Sequence, residues 1–551
     1  MPALQSDAAI TVAKPSAGCR LAFAPVGMVR ICDTNPDRAA TVRRKHVWTA
    51  HPHKRTLMYC YGFAVKSTHR ANASECCAGQ RGYGIESKGA EMEKLTIVSL
   101  DGHAQMPPEA WPKYLDKRYH DCLPALNTEN SDFKGVSGHF FNRLHNADLY
   151  HIYDFDNAVR DGYGEGVWNL EKRIHEMDRE GIAAEFLHSG DSRAIGLFFQ
   201  SSNRDHTMDR CQAGVKAYNR WLYDEFGSEP DRLYLIGILG SAPWRDVDEL
   251  IEELDWIADH GFKATTLPGF TAYPGQPPLF DKYWDPFWAR CEERGILLWM
   301  HAGQGERQGE LGAMFHRIGN VIREEQADVP TAIEKLSKEF FQGKIFSSVK
   351  PRRAMWQLMM GGVFDRYPKL RLVLSEIYGD WMGRTFQYLD EQFEANRDSL
   401  PAKRKPSEYW RSNCFNGLSF IRKCEVAMRH DMGVERLGFG RDYPHGEGTW
   451  PNTVEWLRDA LGGIPKDEAI GIMGGNAINV LGLDKAKLDS IAQRVGLPMD
   501  AIFGDHPPLS GELLAHFQKR GQYLAEPEGD ERMEEIDGMM REDLWRARVY
   551  A

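Results

Sequence analysis

The ten cysteines of this 551-residue chain include no Cys-x-x-Cys pair and no zinc-ribbon spacing, which argues against a cysteine-held structural zinc or a dithiol redox site. No apolar run approaches the roughly 18 residues that a membrane span needs. The start lacks the charged, apolar and small-residue succession of a secretory signal. Positive charge is not in surplus: the formal net charge is −11, the wrong sign for a nucleic-acid partner. There is no internal repeat and no long low-complexity segment. What remains is an expectation of a cytoplasmic protein acting on a small molecule, without a membrane or nucleic-acid partner and with its thiols kept reduced. A composition of 42% hydrophobic and 27% charged residues leaves ample material for a large core.

Residues 1–91 stand apart. They carry 13 Lys and Arg against 6 Asp and Glu, opposite in sign to the whole chain. They show neither helical nor strand periodicity and mix Pro, Gly, Cys, His and Arg without pattern. A basic disordered arm, a targeting peptide, and upstream sequence joined to a chain whose functional start is Met92 all compete. The third reading is favoured, because the segment meets a transit peptide's composition only in part. The expected organisation is therefore an N-terminal extension over 1–91, a catalytic domain over 92–483, and a helical, acidic tail over 484–551.

From Leu95 onward, short β-rich runs alternate with longer amphipathic patterns such as 247–260, which argues an α/β fold with a parallel sheet. Eight runs qualify as strands: 95–100, 183–187, 233–239, 264–267, 296–300, 370–375, 413–418 and 437–440. Several are almost continuously apolar, as strands covered on both faces should be. Eight units fit a (β/α)₈ TIM-like barrel with insertions. A doubly wound open sheet is the runner-up, but no glycine-rich phosphate loop follows the first strand. The longest insertion, about 303–369, is helical in pattern and follows the fifth strand, which places it over the barrel mouth as a lid or pocket element. The tail reads as a solvated or dimer-packing appendage, and a homo-oligomer is expected.

Barrel active sites gather residues at the C-terminal ends of strands. Those ends carry Asp101 and His103, His188, His301, Glu376, and Asp442 with His445 three residues on. Asp101 and His103 are spaced i, i+2, which in a strand puts both side chains on one face, here toward the barrel axis. An oxygen and a nitrogen donor so placed can bind one cation, and His301 and Asp442 can complete the shell. Zinc suits a mixed His and carboxylate set first; iron(II) and manganese accept the same donors. Each residue also has a plainer reading. His188 alone is equally a hydrogen-bonded structural histidine, and Asp101 and Asp442 can both be helix N-caps. The set is harder to dismiss than its members, because ionisable groups ending several apolar strands are costly to bury without a partner.

Five segments in order add a resemblance. They are Ser99-Leu100-Asp101-Gly102-His103 with Pro107-Pro108-Glu109-Ala110-Trp111; Gly261-Phe262-Lys263 with Asp281 to Trp288; Val363-Phe364-Asp365-Arg366-Tyr367-Pro368-Lys369-Leu370; Gly440-Arg441-Asp442-Tyr443-Pro444-His445; and Gly474-Gly475-Asn476-Ala477. Together they resemble the amidohydrolase-related (type 2) branch of the metal-dependent amidohydrolase superfamily, which includes aminocarboxymuconate-semialdehyde decarboxylase-like enzymes. The resemblance spans nearly all of 95–483. It implies that Asp101, His103, His301 and Asp442 bind or surround a divalent metal, and that Asp442 also takes a proton from metal-bound water. Two positions depart from the family's pattern. Asp101 stands where His is frequent on strand one. Glu376 stands where His is frequent after strand six, and it can recruit a second metal or act as an acid/base. Lys263 precedes strand four, so a carboxylated bridging lysine is not expected.

The leading expectation is hydrolysis of an amide, ester, thioester or related bond. The metal lowers the pKa of bound water toward about 7, Asp442 orients or deprotonates that water, and Glu376 or His188 protonates the leaving group. The alternative is metal-dependent, non-oxidative decarboxylation of an aromatic or enolic acid, with Arg193 or Arg307 holding the carboxylate. A catalytically dead binding protein is a third class, and an intact ligand set argues against it. Tyr273, Phe280, Trp284, Trp299 and Phe346 point to an apolar or aromatic substrate if they line the mouth; with 15 Trp in the chain, packing in the core is the stronger reading of them.

Overall fold

The computed structural model describes residues 93–124, 147–190, 207–242, 244, 246–268, 277–304 and 349–550. The expectations for 1–91, most of the insertion after the fifth strand, Arg193, Arg307, Tyr273 and Phe346 lie outside the described residues. Among those described, eight parallel strands close a barrel in chain order. They are β1 (Ile97–Ala104), β2 (Ile182–Ser189), β3 (Leu233–Gly237), β4 (Ala264–Thr266), β5 (Leu297–His301), β6 (Leu372–Ser375), β7 (Cys414–Ser419) and β8 (Leu437–Gly440). The last pairs back on the first, with Ser99 opposite Phe439.

Strand alternation divides the apolar residues between two layers. Val98, Leu100, Ala184, Phe186, Tyr234, Ile236, Ala264, Leu297, Trp299, Val373 and Phe415 fill the barrel interior, with Leu481, Leu488 and Ala492 in the same cluster. Ile97, Leu187, Leu235, Leu298, Leu374 and Leu437 belong to the outer cluster, shared with the surrounding helices. Each fully buried Leu, Ile, Val or Phe stabilises by about 1.5–3 kcal/mol over exposure, so this division fixes which strand face points inward. The helices begin and end where local chemistry allows. Asp246 accepts the Glu249 amide at 2.9 Å to start Val247–Asp259, and Gly295 in the left-handed region ends Asp285–Arg294.

Beyond the barrel come the helices Lys485–Val495, Gly511–Gly521 and Met533–Tyr550. Phe517, Ile536 and Met540 are buried, Arg352 makes a two-bond pair with Glu528, and Asp543 accepts from Arg353, Trp356 and Gln357. Of the expected solvated or dimer-packing appendage, the solvated half is corrected: this part of the chain is packed through apolar residues and buried ion pairs. No helix among the described residues is long and apolar enough to cross a membrane.

Candidate metal centre

The mouth of the barrel gathers the expected residues by two routes. On β2 and β5, simple alternation suffices. Ala184 and Phe186 face the interior and His188 continues that face; Leu297 and Trp299 do the same for His301. On β1, alternation alone would fail, because Val98 and Leu100 already point inward. The pairing with β2 slips here: Ser99 lies opposite Glu185 but Gly102 opposite Leu187, so one extra residue is accommodated. This bulge resets the phase and brings Asp101 and His103 inside. Gly440 makes room for them, since a Cβ there would lie 2.7 Å from the Asp101 Cβ.

Glu376 and Asp442 need a further device. Ser375 already faces inward, its hydroxyl donating to the Leu100 carbonyl at 3.0 Å, so the next residue should point out. Glu376 instead has φ +56° and Asp442 φ +55°. Side-chain-bearing residues rarely adopt that region, and those that do cluster at functional sites.

Around the pocket, Asp101, His103, His188, His301, Glu376, Asp442 and Glu447 are all buried. His103 donates from Nδ1 to the Ser189 carbonyl at 3.0 Å. Its Nε2 lies 3.3 Å from Asp101 Oδ1 and 3.0 Å from Asp442 Oδ1. His301 Nε2 lies 3.3 Å from the same Asp101 oxygen, and its Nδ1 3.3 Å from Glu376 Oε2. Ser419 donates to the other Asp101 oxygen. His188 donates from Nδ1 to Ser189 at 2.8 Å, and Gln304 Nε2 approaches its Nε2 at 3.2 Å. His445 is stacked on His103 at 4.0 Å, with Nδ1 2.9 Å from Asp442 Oδ1.

The electrostatics follow from crowding. Burial pushes the Asp101 carboxyl up, but His301 and His103 outweigh it and hold it well below the usual carboxylate range. Burial pulls His103 down, yet Asp101 and Asp442 raise it well above the ordinary imidazole value. Burial, reinforced by His301 and His103, keeps His188 well below that value and so neutral. Burial, then Asp442, Asp101 and Glu447, raises Glu376 well above the carboxylate range. Burial lifts Glu447 to about 7, against the pull of His445.

These residues fit a divalent cation. Donor atoms of His103, His188 and His301 lie within 4.8 Å of one another, as do those of Asp101, His301 and Glu376, those of His103, Asp442 and His445, and those of Glu376, Asp442, His445 and Glu447. Within this cluster His103 Nε2, both Asp442 oxygens and His445 Nδ1 are buried without a hydrogen bond of good geometry. Buried donor atoms that converge without hydrogen-bond partners are what a cation satisfies.

His445 and Glu447 join the site although strand reasoning assigned neither a role. His445 was visible in the segment ending β8; Glu447 sits in a loop, where no periodicity tells which way a side chain points. The only signal was the density of ionisable residues from Asp442 to Glu447. For three of the aromatic candidates the core-packing reading holds. Trp299 stacks on Phe186 inside the barrel at 4.8 Å, Trp284 is buried with its indole donating to Pro277, and Phe280 is packed in the core.

The amidohydrolase family model matches residues 167–483. The gamma-resorcylate decarboxylase of Rhodococcus jostii (strain RHA1) is 25% identical over 342 residues, covering 59% of this chain and 94% of that protein. The gamma-resorcylate decarboxylase of Polaromonas sp. (strain JS666) is 22% identical over 326 residues, covering 57% and 88%. Among solved structures, an amidohydrolase from Mycobacterium avium subsp. paratuberculosis K-10 is 21% identical with a TM-score of 0.48, covering 70% of this chain and 99% of that one. The family match takes in His188, His301, Glu376, Asp442, His445 and Glu447, but neither β1 nor the last helices.

Proposed function

The chain belongs to the amidohydrolase family, and from that membership we propose that it is a metal-dependent decarboxylase of a small aromatic carboxylic acid. The observation that carries this reading is the buried Glu376 carboxyl, clustered with Asp442, His445 and Glu447. Burial and the neighbouring charges of Asp442, Asp101 and Glu447 raise that carboxyl well above the carboxylate range, so it keeps a proton, and replacing a ring carboxylate by hydrogen requires a proton at that carbon. The two decarboxylase relatives support the choice, because the alignments cover nearly their whole length. This reverses the order of the two activities expected from sequence.

In this reading Asp101, His103, His301 and Asp442 hold the ion, with zinc first and manganese or iron(II) accepting the same donors. Glu376, Asp442, His445 and Glu447 are where a second ion would sit. When bound, the ion supplies a fixed positive charge that holds the acid's oxygen atoms and draws electron density from the ring. Glu376 gives its proton to the carbon bearing the carboxylate. The C–C bond then breaks, its electron pair returns to the ring, and carbon dioxide leaves. His188, kept neutral by burial, orients the substrate. The cation expected to steady the departing carboxylate is Arg193 or Arg307.

Hydrolysis is the second reading, and Asp442 favours it. Burial raises its carboxyl, but His445 and His103 more than offset this and leave it below the usual range, so it can take a proton from an attacking water. The test is a product screen by mass spectrometry with gamma-resorcylate and other ortho-hydroxybenzoates, using metal-loaded wild type and Glu376→Gln. Carbon dioxide release by the wild type, reduced about 10²–10⁴-fold in the variant, is expected. Hydrolysis products without carbon dioxide would replace the lyase reading with the hydrolase one.

A further inference from the structure

The loop after β8 presents three of the site's ionisable groups, Asp442, His445 and Glu447. Backbone bonds tie its inner side to the barrel: the Asp442 amide donates to Asp101 at 2.9 Å, and the His103 amide to Tyr443 at 2.8 Å. Its outer side is held by one residue from beyond the family match. Arg520, the penultimate residue of helix Gly511–Gly521, is completely buried. Its Nε donates to the Gly446 carbonyl at 3.0 Å, its Nη1 to Asn452 Oδ1 at 3.3 Å, and its Nη2 to the carbonyls of Gly448 and Trp450. The guanidinium is planar with its donors in a fixed fork, so these bonds set the spacing of peptides on both sides of Glu447.

Two further contacts seat the helix there. Gly521 lies so close to the loop that a Cβ would come 3.1 Å from the Glu447 carbonyl oxygen and 2.9 Å from Phe420. His516 stacks on Tyr153 at 4.6 Å, and the Tyr153 carbonyl accepts from Asn452 at 2.7 Å. Among the described residues no carboxylate forms an ion pair with Arg520. Burial lowers its pKa, and the carboxylates whose charges act back on it are Glu180, Glu447 and Asp442. Burying a cation without its own counter-ion is costly, and here its field falls on the carboxylates of the site.

We infer that Arg520 is a positioning residue of the active site: its guanidinium fixes the loop that aims Asp442, His445 and Glu447 into the pocket. The C-terminal helices are then part of the catalytic apparatus. This rests on the reading of that loop as metal-binding and catalytic. A lysine would not substitute, because one ammonium cannot span three carbonyls and a side-chain oxygen.

The test uses the full chain loaded with cobalt(II), whose visible absorption reports the ligand geometry without any substrate. Arg520→Ala and Arg520→Lys are compared with Arg353→Ala, which breaks the Arg353 pairs with Glu542 and Asp543 in the last helix and leaves the loop alone. Both Arg520 variants are expected to bind cobalt about 10–100-fold more weakly with an altered absorption band. Added ethylguanidinium should restore the Ala variant but not the Lys one. Arg353→Ala should lower the melting temperature and leave cobalt binding unchanged. Wild-type cobalt affinity and spectrum in a folded Arg520→Lys would overturn the inference, as would equal weakening in Arg353→Ala. If the Arg520 variants change the cobalt site but the wild type releases no carbon dioxide from any hydroxybenzoate, the inference stands and the lyase reading falls.

Discussion

His103 Nε2 stands 3.0 Å from Asp442 Oδ1 while His103 Nδ1 is committed to the Ser189 carbonyl at the same distance. The bond at Nδ1 fixes the tautomer, so a neutral ring turns its Nε2 lone pair toward the carboxylate. Two lone pairs at that separation repel unless a cation or a proton lies between them. His103→Ala and His301→Ala are therefore expected to lose most of the bound divalent metal, measured by elemental analysis after purification. Metal retained at the wild-type level in both variants would contradict the ligand assignment. A wild-type content near two ions per chain, falling to one in Glu447→Gln, would place a second ion beside Glu376.

Beneath the site, Glu185 accepts from Arg173 Nη1 at 2.7 Å and from Arg441 Nε at 2.5 Å, and Arg441 reaches Glu180 at 2.8 Å. All four residues are buried. Removing one member of such a network leaves uncompensated charge, which costs about 3–5 kcal/mol. Glu185→Ala should lose that much stability in urea unfolding. A loss below about 1 kcal/mol, the level of an exposed pair, would show that the network is solvated in solution.

How much of this was legible varies residue by residue. His188 and His301 could be read directly, because each continues the apolar face of an unbroken strand. Asp101 and His103 were rightly paired by their i, i+2 spacing, yet the bulge that turns both inward involves pairing with β2, which one strand's sequence does not reveal. Glu376 and Asp442 depend on left-handed backbone at non-glycine residues, for which local sequence offers no cue. Glu447 and Arg520 are harder still. One sits in a loop, and the other acts from a helix whose docking is a tertiary event. The barrel itself was legible because short β-rich runs, several of them almost continuously apolar, alternate with helical patterns.

His516 gives the C-terminal helices a pH dependence. Burial, helped by the charges of Arg520 and Lys519, lowers its imidazole to about 3, against roughly 6.5 in an unfolded chain. The unfolded state therefore binds a proton that the folded state refuses. The stability contributed is complete above about pH 6.5 and is lost as pH falls toward 3. The urea midpoint of the wild type should drop more between pH 7.5 and 5 than that of His516→Phe. Parallel drops in the two proteins would show that His516 is not the group responsible.

Every residue assigned to the site lies beyond Met92. A chain beginning at Met92 is expected to fold and to bind metal like the full-length protein, checked by melting temperature and elemental analysis side by side. Loss of soluble protein on removal of 1–91 would show that this segment is needed.

The most direct test of the lyase assignment is isotopic. Metal-loaded enzyme is incubated with gamma-resorcylate, or with whichever hydroxybenzoate the product screen selects, in deuterium oxide and separately in ¹⁸O-labelled water. The proposed mechanism requires one carbon dioxide released per product and one solvent deuterium on the ring carbon that lost the carboxylate, with no ¹⁸O in the aromatic product. A product that carries ¹⁸O, formed without carbon dioxide, would contradict it and make the chain a hydrolase.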